Sequence, residues 1–273
     1  MRLIVACAVT LALIVVTSAG LIVYNLRARA VSENAQALSN SALIVAKQIE
    51  QAFTAVQAVE RRFHDDLSGL PVIDSESIER EYRRHAIHVK LRDKAGGMPY
   101  VGSLAIFNAR GQLINFSRQW PIPDVNVTNE DYFKALKTGP GMRSFLGEPV
   151  RDYATGSWVI HLAHKISGPN DEFLGVISAA IELHYLQNYF RDISPNPNSS
   201  FGLFRSDGML LARYPEIDAD IGRKFPTALA LKLVANSDHG VGSIDGVIDG
   251  IPRLIAGHRV DGYPAVVSAT RAT

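Results

Sequence analysis

Between Asp131 and Glu182 the chain gathers most of the side chains that could hold a small polar molecule. Tyr132, Phe133, Phe145, Tyr153 and Trp158 supply aromatic walls, and Arg143 and Arg151 supply forked donors. Guanidinium forks match the oxygens of carboxylates and phosphates, and an aromatic-walled hollow with a few convergent polar groups is the usual form of a ligand site. Glu182 can accept hydrogen bonds from an amine or a hydroxyl. The candidate ligand-binding residues are therefore Tyr132, Arg143, Arg151, Tyr153, Trp158 and Glu182. The competing reading makes the aromatics core and the charges rim.

Compact catalytic signatures are absent. The chain has no Gly-x-Ser-x-Gly, no His-Glu-x-x-His, no phosphate-binding Gly-rich loop with Lys and no EF-hand loop. His161 and His164 are three apart on an expected strand, so they point to opposite faces. His85 and His88 share a helical face, but the arginines around them repel a cation. No catalytic residue, metal site or cofactor is expected.

A motif that occurs twice positions these residues. Residues 105–117 read AIFNARGQLINFS and residues 202–214 read GLFRSDGMLLARY, with Phe107 on Phe204, Gly111 on Gly208 and Leu113 on Leu210 at one offset. An apolar run, a turn ending in Gly and a second apolar run make a β-hairpin. Each half continues through a helical segment into two further strands. The strands are expected at 157–166 and 173–182 in the first half, and at 253–260 and 264–270 in the second. That is an α+β pattern of antiparallel sheets with helices. The first copy leads into the aromatic and Arg-rich segment; the second leads into a plainer one, with a small, Gly-rich stretch at 239–250.

Residues 3–24 are almost unbroken Leu, Ile, Val and Ala, long enough for a bilayer core and longer than the apolar part of a cleaved leader. From Val31 to Leu67 apolar residues recur at alternating steps of four and three, without Gly or Pro, predicting one long helix with a heptad-like stripe. Such a stripe beside a membrane suggests a parallel homodimer. A second helix is expected, capped by Asp74 or Ser75 and closed by Gly96-Gly97, with Ile78, Tyr82, Ala86 and Val89 on one face. Arg27 and Arg29 outnumber Arg2 and by themselves favour a cytoplasmic C-terminal side. The 273 residues carry 28 Lys+Arg against 27 Asp+Glu, so nothing points to nucleic acid. The single cysteine, Cys7, excludes an intrachain disulfide.

Several of these segments together resemble the double Cache domains, also called PDC sensors: two PAS-like modules on a long N-terminal helix. They are Asp131-Tyr132-Phe133, Phe145-x-Gly147-x-Pro149, Thr155-Gly156-x-Trp158-Val159-Ile160 and Phe173-x-Gly175-Val176. In the second half they are Asp207-Gly208-x-Leu210, Ile221-Gly222-Arg223 and Gly262-Tyr263-Pro264. The resemblance implies an anchor at 1–25, a stalk helix at 26–70, a membrane-distal, ligand-holding module at 71–195 and a membrane-proximal module at 196–273. It also implies an inner-membrane protein with its bulk in the periplasm, against the charge rule, sensing a carboxylate- or amine-bearing metabolite for a diguanylate cyclase or histidine kinase output. Amino-acid-binding members carry Arg-x-Trp-Tyr where this chain has Asn129-Glu130-Asp131-Tyr132, and an acidic partner that corresponds to Glu182. The chain is either followed by an output domain or stands alone as an anchored module. The rival function is a periplasmic module that binds a protein partner without a small-molecule ligand.

Overall fold

The computed structural model describes residues 2–68, 74–152, 155–168, 170–194, 198–244 and 252–272. Helix α1 (Arg2–Ser68) is followed by α2 (Ser75–Tyr82) and α3 (His85–Gly96), then strands β1 (Val101–Asn108) and β2 (Leu113–Phe116). Helix α4 (Asp131–Thr138) precedes β3 (Ser144–Leu146), β4 (Val150–Arg151), β5 (Trp158–Ser167) and β6 (Phe173–Glu182). Helix α5 (Leu183–Asp192) leads to β7 (Ser199–Arg205) and β8 (Leu210–Tyr214). Helix α6 (Leu229–Leu233), β9 (His239–Ile244), β10 (Arg253–Val260) and β11 (Ala265–Ala272) complete the chain.

The fold is α+β, with two antiparallel sheets among the described residues. Strand order is β2-β1-β6-β5-β3, with β4 also on β5, in the first sheet, and β8-β7-β11-β10-β9 in the second. The repeated hairpins match in detail. Both ladders slip at the same motif position, between Ile106 and Phe107 and between Leu203 and Phe204. Gly111 and Gly208 adopt positive φ, 75° and 91°, and each lies against a returning loop. A Cβ on Gly208 would sit 2.7 Å from the Pro226 backbone, and one on Gly111 2.7 Å from Thr128 Cγ2. Glycine is needed there for both conformation and space.

Helix α1 runs without Gly or Pro from residue 21 until just before Gly69. Leu38, Ala42, Val45, Ile49, Phe53, Val56 and Phe63 are buried in one apolar core with Leu104, Leu162, Ala179 and Ile181 of the first sheet and Leu203, Ala256 and Val267 of the second. The heptad-like stripe is thus covered by the chain's own two sheets, which corrects the expectation that this face seals a homodimer. The side chains of residues 1–16, which carry most of the expected anchor, and those of Val31 and Leu67 lie outside the described residues. Among the described residues no helix is long and apolar enough to cross a membrane.

Two further expectations change. The single helix expected between Asp74 and Gly96-Gly97 is two helices. Asp74 caps α2, with the Ser77 N–H donating to its carboxylate at 2.8 Å. After Tyr82 the buried amide of Asn115 donates to the carbonyls of Tyr82 (2.6 Å) and Arg84 (3.1 Å), holding the chain in an extended step before α3. The Gly-rich stretch after residue 238 is not featureless either: β9 forms an edge strand on β10.

Phe53 is fully buried and meets the Tyr263 ring edge-on at 5.1 Å between centroids, joining α1 to the β10–β11 turn. Phe53→Ala removes that contact and leaves a cavity, so chemical denaturation should show a loss of about 3–5 kcal/mol.

Candidate functional site

The first sheet turns two unlike faces outward. Towards α1 it presents Leu104, Ile106, Ile160, Leu162, Ile177, Ala179 and Ile181. Towards α4 it presents smaller side chains. Register places Ser103, Ala180 and His161 in one row and Ala105, Ser178 and Ala163 in the next. These small residues make up the α4 side of the sheet.

Helix α4 packs over this face. Tyr132 is buried, and its ring stacks on His161 at 5.0 Å with 29° between the planes. His161 Nδ1 lies 2.9 Å from Ser178 Oγ. Burial raises the Tyr132 phenol, with the Glu130 and Asp131 carboxylates adding to the shift and Ser178 opposing it. Burial lowers the His161 imidazole to about 4, against the pull of Asp152 and Asp131. A ring so reluctant to take a proton is a poor general base for the Ser178 hydroxyl, so the pair fixes the ring rather than activating a nucleophile.

Glu182 ends β6, its N–H donating to the Tyr100 carbonyl at 2.9 Å and its side chain 9% exposed. Arg118 spans two carboxylates, donating from Nη2 to Glu182 Oε1 at 2.9 Å and from Nη1 to Asp152 Oδ1 at 3.3 Å, while Nε donates to the Gly102 carbonyl at 2.6 Å. Gly102 leaves open the space that Glu182 Oε1 fills. Glu182 Oε2 is buried and makes no hydrogen bond among the described residues, with His184 Nδ1 at 3.4 Å. Among the described residues Glu182 Oε2 is thus an acceptor that no hydrogen bond fills, and such an acceptor suits an ammonium group.

Of the sequence-derived candidates, Tyr132 and Glu182 both lie on this side of the sheet. Arg151 and Trp158 come together elsewhere. The Arg151 guanidinium lies 4.2 Å over the Trp158 ring, and both side chains donate to Asp218 in the second half, Arg151 Nη2 at 2.6 Å and Trp158 Nε1 at 2.8 Å. Arg143 is exposed before β3, apart from both groups. Tyr153 lies outside the described residues. Arg118, Asp152, His161 and Ser178 were not among the candidates. The signal that could have found this face is the alternation of small with branched residues along β1, β5 and β6.

A second link joins this side of the first sheet to the second sheet. Asp131, next to Tyr132, accepts from the N–H groups of Tyr132 (2.7 Å) and Glu148 (3.0 Å) and from Arg205 Nη1 (2.8 Å) at the end of β7. The same Arg205 nitrogen reaches the Leu146 carbonyl at 3.0 Å, and Asp207 clamps the guanidinium from its own side at 3.0 and 3.1 Å. The Arg205 and Lys224 side chains hold the Asp207 carboxyl well below the usual carboxylate range, against partial burial.

The Cache-domain family model matches residues 25–272. The chain belongs to the Cache-domain family. The extracellular domain of the putative histidine kinase rpHK1S-Z16 is similar over 89% of this Cache chain and 96% of that one, at 22% identity and a TM-score of 0.77. The periplasmic sensory domain of the Campylobacter jejuni chemoreceptor Tlp1 covers 89% and 96% at 12% identity and a TM-score of 0.70. The ligand-binding domain of the Pseudomonas fluorescens chemoreceptor CtaA, in complex with L-isoleucine, covers 90% and 96% at 16% identity and a TM-score of 0.63. At these identities the likeness shows the fold that this Cache chain shares with them. A comparison with curated proteins gives no match.

His161 gives the Cache fold a measurable acid response. Its folded pKa lies below that of a free imidazole, so its contribution is complete above about pH 6.5 and is lost as pH falls towards 4, by at most ~3 kcal/mol. Replacing it in His161→Gln should flatten the pH dependence of stability across that window, read by urea denaturation at successive pH values.

Proposed function

We propose that this Cache domain is the extracytoplasmic sensor of a membrane-bound signal transducer, and that it binds a small ammonium-bearing metabolite between α4 and the face of β1, β5 and β6 that it covers. The observation that carries this reading is Glu182. Its carboxylate is withdrawn from water beside the small side chains of that face, with Oε2 unbonded and Arg118 holding only Oε1. A buried acceptor left without a donor is costly, and an ammonium group on the ligand removes that cost. Tyr132 and His161 supply a flat wall for the rest of the molecule. The L-isoleucine named with the CtaA domain makes α-amino acids the first compounds to try.

In this reading residues 71–195 bind the ligand and residues 196–273 pass its effect on. The apolar run at 3–24 anchors the chain in the inner membrane, with the folded part outside the cytoplasm, and the segment itself carries no catalysis. Occupancy shifts α4 and β6, Asp131 and Arg205 carry the displacement to the second sheet, and α1 carries it towards the membrane. Such a relay works only through different affinities for two arrangements of the domain. With the apolar stripe of α1 already covered, a homodimer would use the opposite face, where Leu43 and Ile44 are 37% and 58% exposed. Ile44→Lys should then convert dimer to monomer in sedimentation velocity.

Thermal shift and calorimetry with a panel of amino acids, amines and carboxylates test the ligand. An ammonium-bearing compound should stabilise the domain by roughly 2.7 kcal/mol at a hundred times its Kd. Glu182→Gln should weaken it about 10- to 100-fold, in keeping with a lost hydrogen bond to a charged group. Binding undiminished in Glu182→Gln, or stabilisation by carboxylates alone, would overturn the assignment. No response from any compound would favour a protein partner.

A further inference from the structure

Glu60 lies on α1 where the helix passes from the second sheet to the first. Its side chain has no exposed surface, and neither carboxylate oxygen has a hydrogen-bond partner among the described residues. It follows Val56 and precedes Phe63 in the buried face of the helix, a position whose other occupants are apolar. An ionised carboxylate there is strongly disfavoured, whereas a neutral carboxylic acid is tolerated far better. Burial pushes its pKa well above the ordinary carboxylate range, and only the Ala179 backbone opposes the shift.

Among the described residues the elements packed against α1 supply no ion-pair partner to Glu60. On the face that meets α1, β6 brings Ile177, Ala179 and Ile181, and β5 brings His164 beside Leu162. The β10–β11 turn brings Tyr263, whose hydroxyl donates to Gln57 at 3.1 Å, and Asp261, which is held by Lys47 at 2.7 Å. Farther along the helix, β10 brings His258 and β9 brings His239, stacked on each other at 5.7 Å. At its far end β11 brings Arg271, which donates to Asn34 at 2.9 Å. On α1 itself Glu50 pairs with Lys47, and Arg61 is exposed. None of these is a hydrogen-bond partner of Glu60.

Ala179 also lies on the back of the candidate ligand face, turned towards α1. Side chains alternate along a strand, so Ser178 and Ala180 lie on that face and Ala179 between them on the other. We propose that Glu60 is a proton-operated latch on the long helix, and that the proton is a second input to the domain. Protonated, Glu60 lets this turn of α1 lie against β6. Ionised, it drives the turn away from the sheet towards water. Ligand on one face of β6 and proton on the other then act on the same strand, and each must alter the other's affinity by the same factor. That coupling rests on the sensor reading above; the docking of α1 does not.

The direction follows from linkage. A carboxyl whose folded pKa is raised contributes stability that is complete at low pH and is lost as pH rises through the folded value. Hydrogen exchange of residues 52–63 in the full chain, corrected for intrinsic rates and followed upward from the ordinary carboxylate range, should show protection falling by up to tenfold per pH unit until the Glu60 pKa is passed and levelling off above it. Glu60→Gln, which mimics the neutral acid, should keep its protection across that range. Parallel pH profiles in the parent and in Glu60→Gln would overturn the proposal. Infrared spectra give a second reading in case the variant fails to fold: above the ordinary carboxylate range the parent should still show the carbonyl stretch of a protonated carboxyl, and its absence there would also overturn the latch. A domain that binds no small molecule at all would leave both results intact, so failure of the ligand assignment is distinguishable from failure of the latch.

Discussion

One helix closes two sheets, and the rest of the molecule depends on that shared burial. Neither sheet has a complete core of its own on the α1 side, because the same stripe of α1, from Leu38 to Phe63, fills both. Removing apolar surface from water is the dominant favourable term in folding, and here that term is held in common. A movement of either sheet relative to α1 therefore disturbs the packing of the other, without any need for a dedicated wire between them.

The polar contacts between the halves do something different. Arg205 with Asp131, and Arg151 and Trp158 with Asp218, add directional contacts where apolar packing would allow sliding. The first lies beside Tyr132 and the second at the start of β5. They are partly exposed, and their worth lies in geometry more than in stability. Each fixes an angle between one sheet and the other.

The fold was legible in the sequence wherever the information was local. The paired Gly111 and Gly208 marked the duplicated hairpins, and β5, β6, β10 and β11 lie where the apolar runs are. The period of α1 identified a buried face, but a period cannot say what buries it, and the two sheets of the same chain proved to be the cover. Glu60 was passed over because a charged residue beside Val59 reads as solvent-facing; only the packing shows that Glu60, not Val59, is the fully buried one of the two. The break between α2 and α3 depends on Asn115, which is 33 residues from the Tyr82 carbonyl it holds. The site was half legible. Residue type and position bring Tyr132 and Glu182 forward as candidates, but Arg118 meets Glu182 across 64 residues, and Arg151 and Trp158 meet Asp218, 67 and 60 residues away. Such meetings are products of strand register, which spacing along one segment does not encode.

The hydrogen bond from Arg271 to Asn34 places the end of β11 against the early part of α1. Glu60 lies roughly 40 Å farther along the same helix, at 1.5 Å of rise per residue. The domain is thereby built like a lever with its long arm and its return strand fastened side by side at one end. A small tilt of the helix at the Glu60 end becomes shear between two adjacent segments at the Asn34 end, where a single side-chain contact would register it.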